Sequence, residues 1–163
     1  ALLDQVLTYE FDEMASSYFT FFLFKIMEKL GKEDLHFENL DHWQYFLAKG
    51  HTTCGETGFM SHDRSDCHAW SGSPGYYHLR FIAGIKPADL GFENVLITPH
   101  LGELKKVEAT MPHPKGRISV SYEVKGQRLA GQITLPPKMN GRLEYKGYAI
   151  ELKPGINKIK TQR

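Results

Sequence analysis

Apolar residues follow different spacings in the two halves of this 163-residue chain. In the first half they recur at the three- and four-residue intervals of helices, and in the second half they alternate with polar residues, as in half-buried strands. The change falls after about Gly91. The pattern therefore predicts helices and loops over residues 1–90 and a unit of β-strands over residues 91–163.

The first predicted helix runs from Asp12 to Leu30, and Gly31 ends it. Its aromatic and aliphatic residues cover most of the helix circumference: Tyr18, Phe19, Phe21, Phe22, Leu23, Phe24, Ile26, Met27 and Leu30. A helix that is apolar nearly all round is buried on several sides. This helix therefore requires more neighbours than the rest of the chain is expected to supply.

Two further helices are predicted downstream. One runs from about Leu40 to Lys49, has Asp41 as its N-cap and places three apolar residues on one buried face: Trp43, Phe46 and Leu47. The other begins at Ser73, is favoured by a proline in its first turn, and ends at Gly84.

Strands dominate the remainder. Four apolar residues alternate with polar ones in the clearest case: Ile118, Val120, Tyr122 and Val124. A turn at residues 125–127 precedes a similar alternation on the return strand. Six or seven such strands, separated by turn residues, are typical of a β-sandwich.

Charge supports a division into two units. The formal net charge is +1, which predicts no general attraction to nucleic acid or to a membrane. Residues 1–90 hold seven Lys or Arg against 13 Asp or Glu, a formal charge of −6, and residues 91–163 hold 13 against six, a charge of +7. Two units with different surfaces explain this split.

The loop over residues 50–71 is poor in aliphatic residues and rich in groups that bind polar ligands. Glu56 is flanked by glycines and could act as a general acid, a general base or an acceptor for a sugar hydroxyl, the alternative being a solvated loop glutamate. His68 and Trp70 would share one face of an extended segment. They form either a sugar-binding pair or a core tryptophan beside a satisfied histidine.

The same loop holds five residues that could ligate a metal ion: Cys54, His62, Asp66, Cys67 and His68. Their spacing matches no paired Cys or His motif, so neither a metal nor another cofactor is expected. His62 could instead contact substrate or order the loop, and Asp66 could cap a helical turn. The two cysteines are expected to be free thiols rather than a disulfide.

Six short sequence motifs follow one another along the chain: Gly50-x-Thr52-Thr53-x-x-Glu56, Arg64-Ser65-Asp66-Cys67-His68-Ala69-Trp70-Ser71, Gly84-Ile85-x-Pro87, Gly91-Phe92, Pro99-His100-Leu101-Gly102 and Pro112-His113-Pro114-x-Gly116-x-Ile118. In this order they resemble the C-terminal part of α-L-rhamnosidases, glycoside hydrolase family 78. The resemblance covers most of the chain. It implies an α+β multidomain protein in which residues 1–90 are the closing helices of an incomplete (α/α)6 toroid and residues 91–163 form a C-terminal β-sandwich.

The resemblance also implies an inverting hydrolysis of terminal α-L-rhamnosyl residues by two carboxyl groups. Glu56 matches the position of the general base. His68 and Trp70 match a segment that lines the rhamnose pocket, and His62 and Asp66 are further candidates for substrate binding. The chain departs from the family pattern at Gly55, where an aromatic residue often precedes the base.

The general acid of this family lies upstream of the matched segment, so the chain alone is expected to be inactive. Its expected partners are a rhamnose-containing glycoside or polysaccharide and the remainder of the same polypeptide, with neither nucleic acid nor membrane. A bacterial polysaccharide-degrading enzyme of this kind would be periplasmic or extracellular. The alternative is a non-catalytic carbohydrate-binding or scaffold module that uses the loop as a lectin-like site. A metal-dependent hydrolase is a third hypothesis.

Overall fold

The computed structural model describes residues 16–56 and 65–161. Helical elements come first and strands follow. The α-helices are α1 (Ser17–Lys29), α2 (Asp41–Ala48) and α3 (Ser73–Tyr77). Short 3-10 turns lie at Glu33–Asn39, Ala69–Gly72 and Leu90–Phe92, and a π-type turn at His78–Ile82 continues α3.

Helix α1 ends as predicted, because Gly31 adopts a φ of 64° that only glycine accepts without strain. It begins after Ser16, whose hydroxyl accepts a hydrogen bond from the Phe19 N–H at 3.4 Å. The predicted first turn, residues 12–15, lies outside the described residues. None of the helices that the structure describes is long and apolar enough to cross a membrane.

Only one side of α1 is covered within the described chain. Phe24 and Met27 are fully buried and pack with Tyr77 and Phe81 in a small aromatic core. Five other apolar side chains of the same helix are exposed by 38 to 59%: Tyr18, Phe19, Phe22, Ile26 and Leu30. Contiguous exposed apolar surface of this kind marks a site of interaction, so the need for further neighbours stays a prediction.

Helix α2 differs from its prediction in two details. Asp41 is the first helical residue rather than the N-cap, because Leu40 occupies the cap position without a side-chain hydrogen bond. Of the predicted buried face, Phe46 is buried and Trp43 is half-buried, but Leu47 is 74% exposed. The single buried face is therefore wrong at Leu47, which lies on the solvent side of the helix.

Within residues 16–56 and 65–161, eight strands form two four-stranded sheets, which confirms the predicted β-sandwich. One sheet has the order β1-β2-β6-β7, in which only β2 and β6 are parallel, and the other has the antiparallel order β3-β4-β5-β8. The bounds are β1 Ile85–Pro87, β2 Val95–Ile97, β3 Lys106–His113, β4 Gly116–Lys125, β5 Arg128–Leu135, β6 Gly141–Tyr145, β7 Tyr148–Leu152 and β8 Gly155–Lys160.

The alternation that predicts β4 is confirmed, since Ile118, Val120 and Tyr122 are buried in the sandwich core while their neighbours are not. The turn at residues 125–127 joins β4 to β5, where Val120 lies opposite Ile133. Strand β1 precedes Gly91 but pairs with β2. The sheet therefore includes a strand from the helical half of the sequence.

A buried cluster of charges joins the helical elements to the sandwich. Lys86 on β1 places its Nζ 3.1 Å from Oε1 of Glu33 and 3.3 Å from Oε1 of Glu28. Arg80 in the π-type turn donates from Nε to Glu28 at 2.8 Å, and His100 Nε2 lies 3.8 Å from Glu33. Burial alone would raise the pKa of Glu28, but the hydrogen bond and charge of Arg80 and the charge of Lys86 outweigh it and hold that pKa below 4.5.

His36 is fully buried in the aromatic core. Its ring lies 4.4 Å from Phe24 and 5.5 Å from Phe81, and among the described residues neither ring nitrogen has a hydrogen-bond partner. Burial, together with the charge of His78, lowers the pKa of His36 from 6.5 to about 4. The native state therefore holds this imidazole neutral.

Replacing Lys86 with Met keeps the apolar stem but leaves the buried Glu33 carboxylate uncompensated. We expect the free energy of unfolding, measured by urea titration, to fall by about 3–5 kcal/mol. The double variant Glu33→Gln, Lys86→Met should recover part of the loss, because no unpaired charge remains. Lys106→Met removes an exposed partner of Glu108 and serves as the control that changes little. A Lys86→Met loss no larger than that of the control contradicts the role of the cluster.

The lowered pKa of His36 makes stability depend on pH. The unfolded imidazole binds a proton with an ordinary pKa of 6.5 whereas the folded one does so only at about 4, so this contribution is complete above 6.5 and is lost as the pH falls toward 4. Urea unfolding from about pH 7 to about pH 4.5 should show this fall, and His36→Phe should flatten the curve. An unchanged slope in His36→Phe would show that other groups cause the acid sensitivity.

Candidate functional site

The two described limbs of the loop, residues 50–56 and 65–71, lie side by side. The Glu56 N–H donates to the Ser65 carbonyl at 3.0 Å, and the His68 N–H donates to the Cys54 carbonyl at 2.8 Å. The Thr53 hydroxyl donates to the carbonyl of Asp66. These hydrogen bonds bring together two sequence motifs that are separated along the chain. Residues 57–64, which connect them, lie outside the described residues.

The main chain of Glu56 is fixed by side chains from two other segments. Its carbonyl accepts a hydrogen bond from Ser17 Oγ on α1 at 3.0 Å and another from Trp70 Nε1 at 3.2 Å. Ser71 Oγ lies 2.7 Å from Ser17 Oγ. Ser71 Oγ also lies within hydrogen-bond distance of the Glu56 carbonyl, at 3.5 Å, so either serine can donate to the other while its partner donates to that carbonyl. We call the hydroxyls of Ser17 and Ser71 and the indole of Trp70 the Glu56 clamp.

Helix α2 supports the clamp from behind. Trp43 Nε1 donates to the Ser71 carbonyl at 2.6 Å, and the Ser71 N–H donates to the His68 carbonyl at 3.1 Å. Glu56 itself is buried, with 6% of its surface exposed. The main chain that carries the Glu56 side chain is thus held by contacts from three helical segments.

Neither Ser17 nor Trp43 carries a sequence signal that assigns it to this site. Ser17 follows a helix cap directly and precedes an aromatic run, which gave no sign of a contact 39 residues away. Trp43 was placed on an apolar face by its spacing, which says nothing about its indole N–H. Ser71 is the last residue of the motif that begins at Arg64, and this position is the only sequence feature that connects it with the site.

His68 and Trp70 do lie together, with ring centroids 4.0 Å apart and planes inclined by 39°. Trp70 is 43% exposed, so it is not a core residue. His68 Nδ1 is buried and has no hydrogen-bond partner among the described residues. The exposure of Trp70 argues against the alternative of a core pair and leaves its ring available for contact with a ligand.

Exposed aromatic surface continues from Trp70 onto α1. The Tyr18 ring lies 5.2 Å from Trp70 and 5.5 Å from Phe22, and Phe19 lies 5.4 Å from Tyr18. Such rings pack against sugar C–H groups or against apolar side chains of a neighbouring helix. The buried Glu56 thus lies beside a surface that requires apolar contact.

The structure gives less support to the remaining candidate residues of the loop. Asp66 is exposed and does not cap the following 3-10 turn, whose N-cap position is held by His68. His62 lies outside the described residues. Cys54 and Cys67 are free thiols, and burial, with the nearby Cys67 thiol, raises the pKa of Cys54. Across residues 16–56 and 65–161 no group of three His, Cys, Asp or Glu side chains could hold a metal ion.

Comparison with known proteins gives a consistent result. The family described as the bacterial α-L-rhamnosidase C-terminal domain matches residues 84–149. The α-L-rhamnosidase of Formosa agariphila is 25% identical over 137 residues, an alignment that covers 75% of this chain and 15% of that protein.

Two solved structures share the fold. The native α-L-rhamnosidase from Aspergillus terreus superposes with a TM-score of 0.83 over 99% of this chain and 21% of its own, at 18% identity. The GH78 family rhamnosidase of Bacillus sp. GL1 gives a TM-score of 0.76 at 26% identity, over 88% of this chain and 17% of its own. The chain therefore spans about a fifth or less of the length of these relatives.

Removing the Ser17 hydroxyl tests the Glu56 clamp. In Ser17→Ala the Glu56 carbonyl loses a donor and the Ser71 hydroxyl loses its hydrogen-bond partner on α1, so we expect a loss of about 1–3 kcal/mol in the free energy of unfolding. Ser73→Ala is the matched control, because Ser73 Oγ is buried without a hydrogen-bond partner in the described part of the chain. Equal losses in the two variants, measured by urea unfolding, would contradict the clamp.

Proposed function

The resemblance of this chain to the C-terminal part of the α-L-rhamnosidases of glycoside hydrolase family 78 is confirmed, and from it we propose that the chain supplies the general base and part of the sugar pocket of such an enzyme. The substrate is a glycoside or polysaccharide with terminal α-L-rhamnosyl residues. The enzyme inverts the configuration of the anomeric carbon.

Glu56 is the general base in this proposal. The observation that carries it is the Glu56 clamp, which fixes the backbone of one buried glutamate beside the exposed indole of Trp70 and the imidazole of His68. Inverting enzymes hold their two carboxyl groups about 6.5–9.5 Å apart so that a water molecule fits between the base and the sugar. The rigid backbone of Glu56 supports one end of that spacing.

The reaction then proceeds in one displacement. The Glu56 carboxylate takes a proton from the water as its oxygen attacks the anomeric carbon from the face opposite the leaving group. A second carboxylic acid, outside this chain, gives its proton to the glycosidic oxygen as the bond breaks. The α-linked sugar is released as the β-anomer, and the two carboxyl groups exchange protons with solvent before the next cycle.

In this proposal the side chains next to Glu56 bind the substrate. The exposed ring of Trp70 stacks on the apolar face of the rhamnose, and the His68 ring beside it belongs to the same substrate-contacting surface. His62 and Asp66 are further substrate-binding candidates on the same loop. This division gives the base and the sugar contacts to one segment of chain.

The proposal includes the rest of the polypeptide. Residues 1–90 are taken as closing helices of an (α/α)6 toroid, and residues 91–163 as the C-terminal sandwich. Strand β1, which precedes residue 91, is also part of the sandwich. Upstream toroid helices would cover the exposed aromatic face of α1 and would bring the general acid. The isolated chain should then release no product from an aryl α-L-rhamnoside.

Glu56→Gln in the complete natural polypeptide tests the assignment. We expect kcat on an aryl α-L-rhamnoside to fall by about 10²- to 10⁴-fold, because the amide cannot accept the proton of the attacking water. Proton NMR of the wild-type reaction should show the β-anomer of rhamnose first.

Glu38→Gln, a change of an exposed glutamate outside the loop, is the matched control and should leave kcat unaltered. A loss of less than tenfold in Glu56→Gln would remove Glu56 from the role of base. Binding of rhamnosides without hydrolysis by the complete polypeptide would favour the alternative of a non-catalytic carbohydrate-binding module.

A further inference from the structure

The two cysteines of the chain lie on opposite limbs of the loop that holds Glu56. Cys54 belongs to the limb of residues 50–56 and Cys67 to the limb of residues 65–71. Both are free thiols, and neither has a part in the proposed hydrolysis. The contacts between the two limbs decide whether these thiols can react with each other.

Hydrogen bonds on both sides of Cys67 hold it against Cys54. His68, the residue after it, donates its N–H to the Cys54 carbonyl at 2.8 Å. Asp66, the residue before it, accepts a hydrogen bond from the Thr53 hydroxyl at its carbonyl. Opposite residues of paired antiparallel segments have Cα atoms about 4.5–5.5 Å apart, and disulfides span about 4.4–6.8 Å between Cα atoms. The pairing of the limbs therefore brings the two cysteines into the range of a disulfide.

The register of the limbs makes these cysteines neighbours across the pair. The Glu56 N–H donates to the Ser65 carbonyl, so antiparallel alternation places Cys67 opposite Cys54 two residues further along. Residues 67 and 68 share this position, as in a β-bulge, because the N–H that reaches the Cys54 carbonyl is that of His68. Opposite residues hold their side chains on the same face of the pair, with Cβ atoms about 4.5–5.5 Å apart. The two thiols therefore lie on one face.

The electrostatics and exposure of the two thiols agree with this placement. Burial raises the pKa of Cys54, the charge of Cys67 raises it further, and a hydrogen bond with Trp43 opposes both effects. An influence of one thiol on the other requires that they lie near each other. Cys67 is exposed whereas Cys54 is partly buried, so an oxidant from the solvent meets Cys67 first.

We propose that Cys54 and Cys67 form a disulfide when the protein meets a disulfide oxidant, and that this bond joins the two limbs of the loop. It closes a ring over residues 54–67, which contains Glu56. Ring closure removes conformations from the unfolded chain, so the oxidised limbs stay together under conditions that separate the reduced ones. Such bonds persist in oxidising compartments. The inference is independent of the proposed function, since it needs only the placement of two thiols.

The bond forms by two successive exchanges. The Cys67 thiolate attacks one sulfur of the oxidant, and the other sulfur of the oxidant leaves as a thiolate. The Cys54 thiolate then attacks the Cys67 sulfur of this mixed disulfide and displaces the second thiolate. Two electrons pass from the cysteine pair to the oxidant, and the two protons lost by the cysteines go to the two thiolates that leave.

The test treats the complete natural polypeptide with oxidised glutathione, alkylates the remaining thiols and identifies the cysteine peptides by mass spectrometry without reduction. In the wild type we expect Cys54 linked to Cys67, and dithiothreitol should remove the link. In Cys54→Ser the Cys67 thiol has no partner, so it should remain joined to glutathione at about tenfold or more the wild-type level. Cys67→Ser is the matched control, in which the partly buried Cys54 should remain mostly alkylated.

A second measurement separates the effect of the fold from the short spacing of the cysteines in sequence. Mixtures of reduced and oxidised glutathione give the effective concentration of one thiol at the other. We expect this concentration to be about tenfold or more higher in the native polypeptide than in the same polypeptide unfolded in urea.

Three results would overturn the proposal. One is a wild-type protein in which glutathione stays on Cys67 while Cys54 remains alkylated. Another is a Cys67–Cys67 link between two molecules in place of the internal bond. The third is an equal effective concentration in the native and unfolded states, which would show that the fold does not bring the thiols together.

Discussion

The ion pairs around Lys86 fix the helices relative to the sandwich. An ammonium group that loses its hydration must be compensated by nearby carboxylates, and here both carboxylates come from the helical part, Glu28 from α1 and Glu33 from the following 3-10 turn. Lys86 lies on β1, which hydrogen-bonds into the sheet through β2. Because such pairs need close and specific distances, they set the orientation of the two parts more narrowly than apolar packing alone would.

Helix α1 connects these ion pairs to the candidate site. Its last turn gives Glu28 to the ion pairs, its middle buries Phe24 and Met27, and its first residue, Ser17, holds the Glu56 carbonyl. Thirteen residues of helix span about 20 Å. A rigid element of this length makes the position of Glu56 dependent on contacts far from the loop, so a change in the ion pairs reaches the proposed base through the helix.

Local features of the fold could be predicted from the sequence, and contacts across it could not. Gly31 ends α1 and the alternation over β4 faces the core because each signal lies within a few residues. The same periodicity put Leu47 in a core where it is exposed, since spacing defines an apolar face but not whether another element covers it. Ser17 and Lys86 contact partners 39 and 53 residues away, and no local pattern reports such a contact.

The candidate site shows the same limit. Glu56, His68 and Trp70 could be selected because of the resemblance to the rhamnosidase family, since their residue types and spacing alone left structural alternatives open. The structure adds the groups that hold this loop, a serine of α1 paired with Ser71 and a second indole from α2. Those polar groups carry no signature of their own, because a serine at a helix start or a tryptophan on an apolar face has a common structural explanation. Positioning residues are therefore harder to predict than the groups they position.

Arg80 connects these observations. Its Nε is committed to Glu28 within the ion pairs that hold the sandwich, and its guanidinium carbon lies 5.9 Å from the centre of the Tyr76 ring. The contact that attaches the sandwich to α1 thus also fixes Arg80 beside an exposed tyrosine ring. The β3–β4 hairpin and the Phe92 turn face these two side chains across a cleft, so the sandwich supplies a wall that the helices lack.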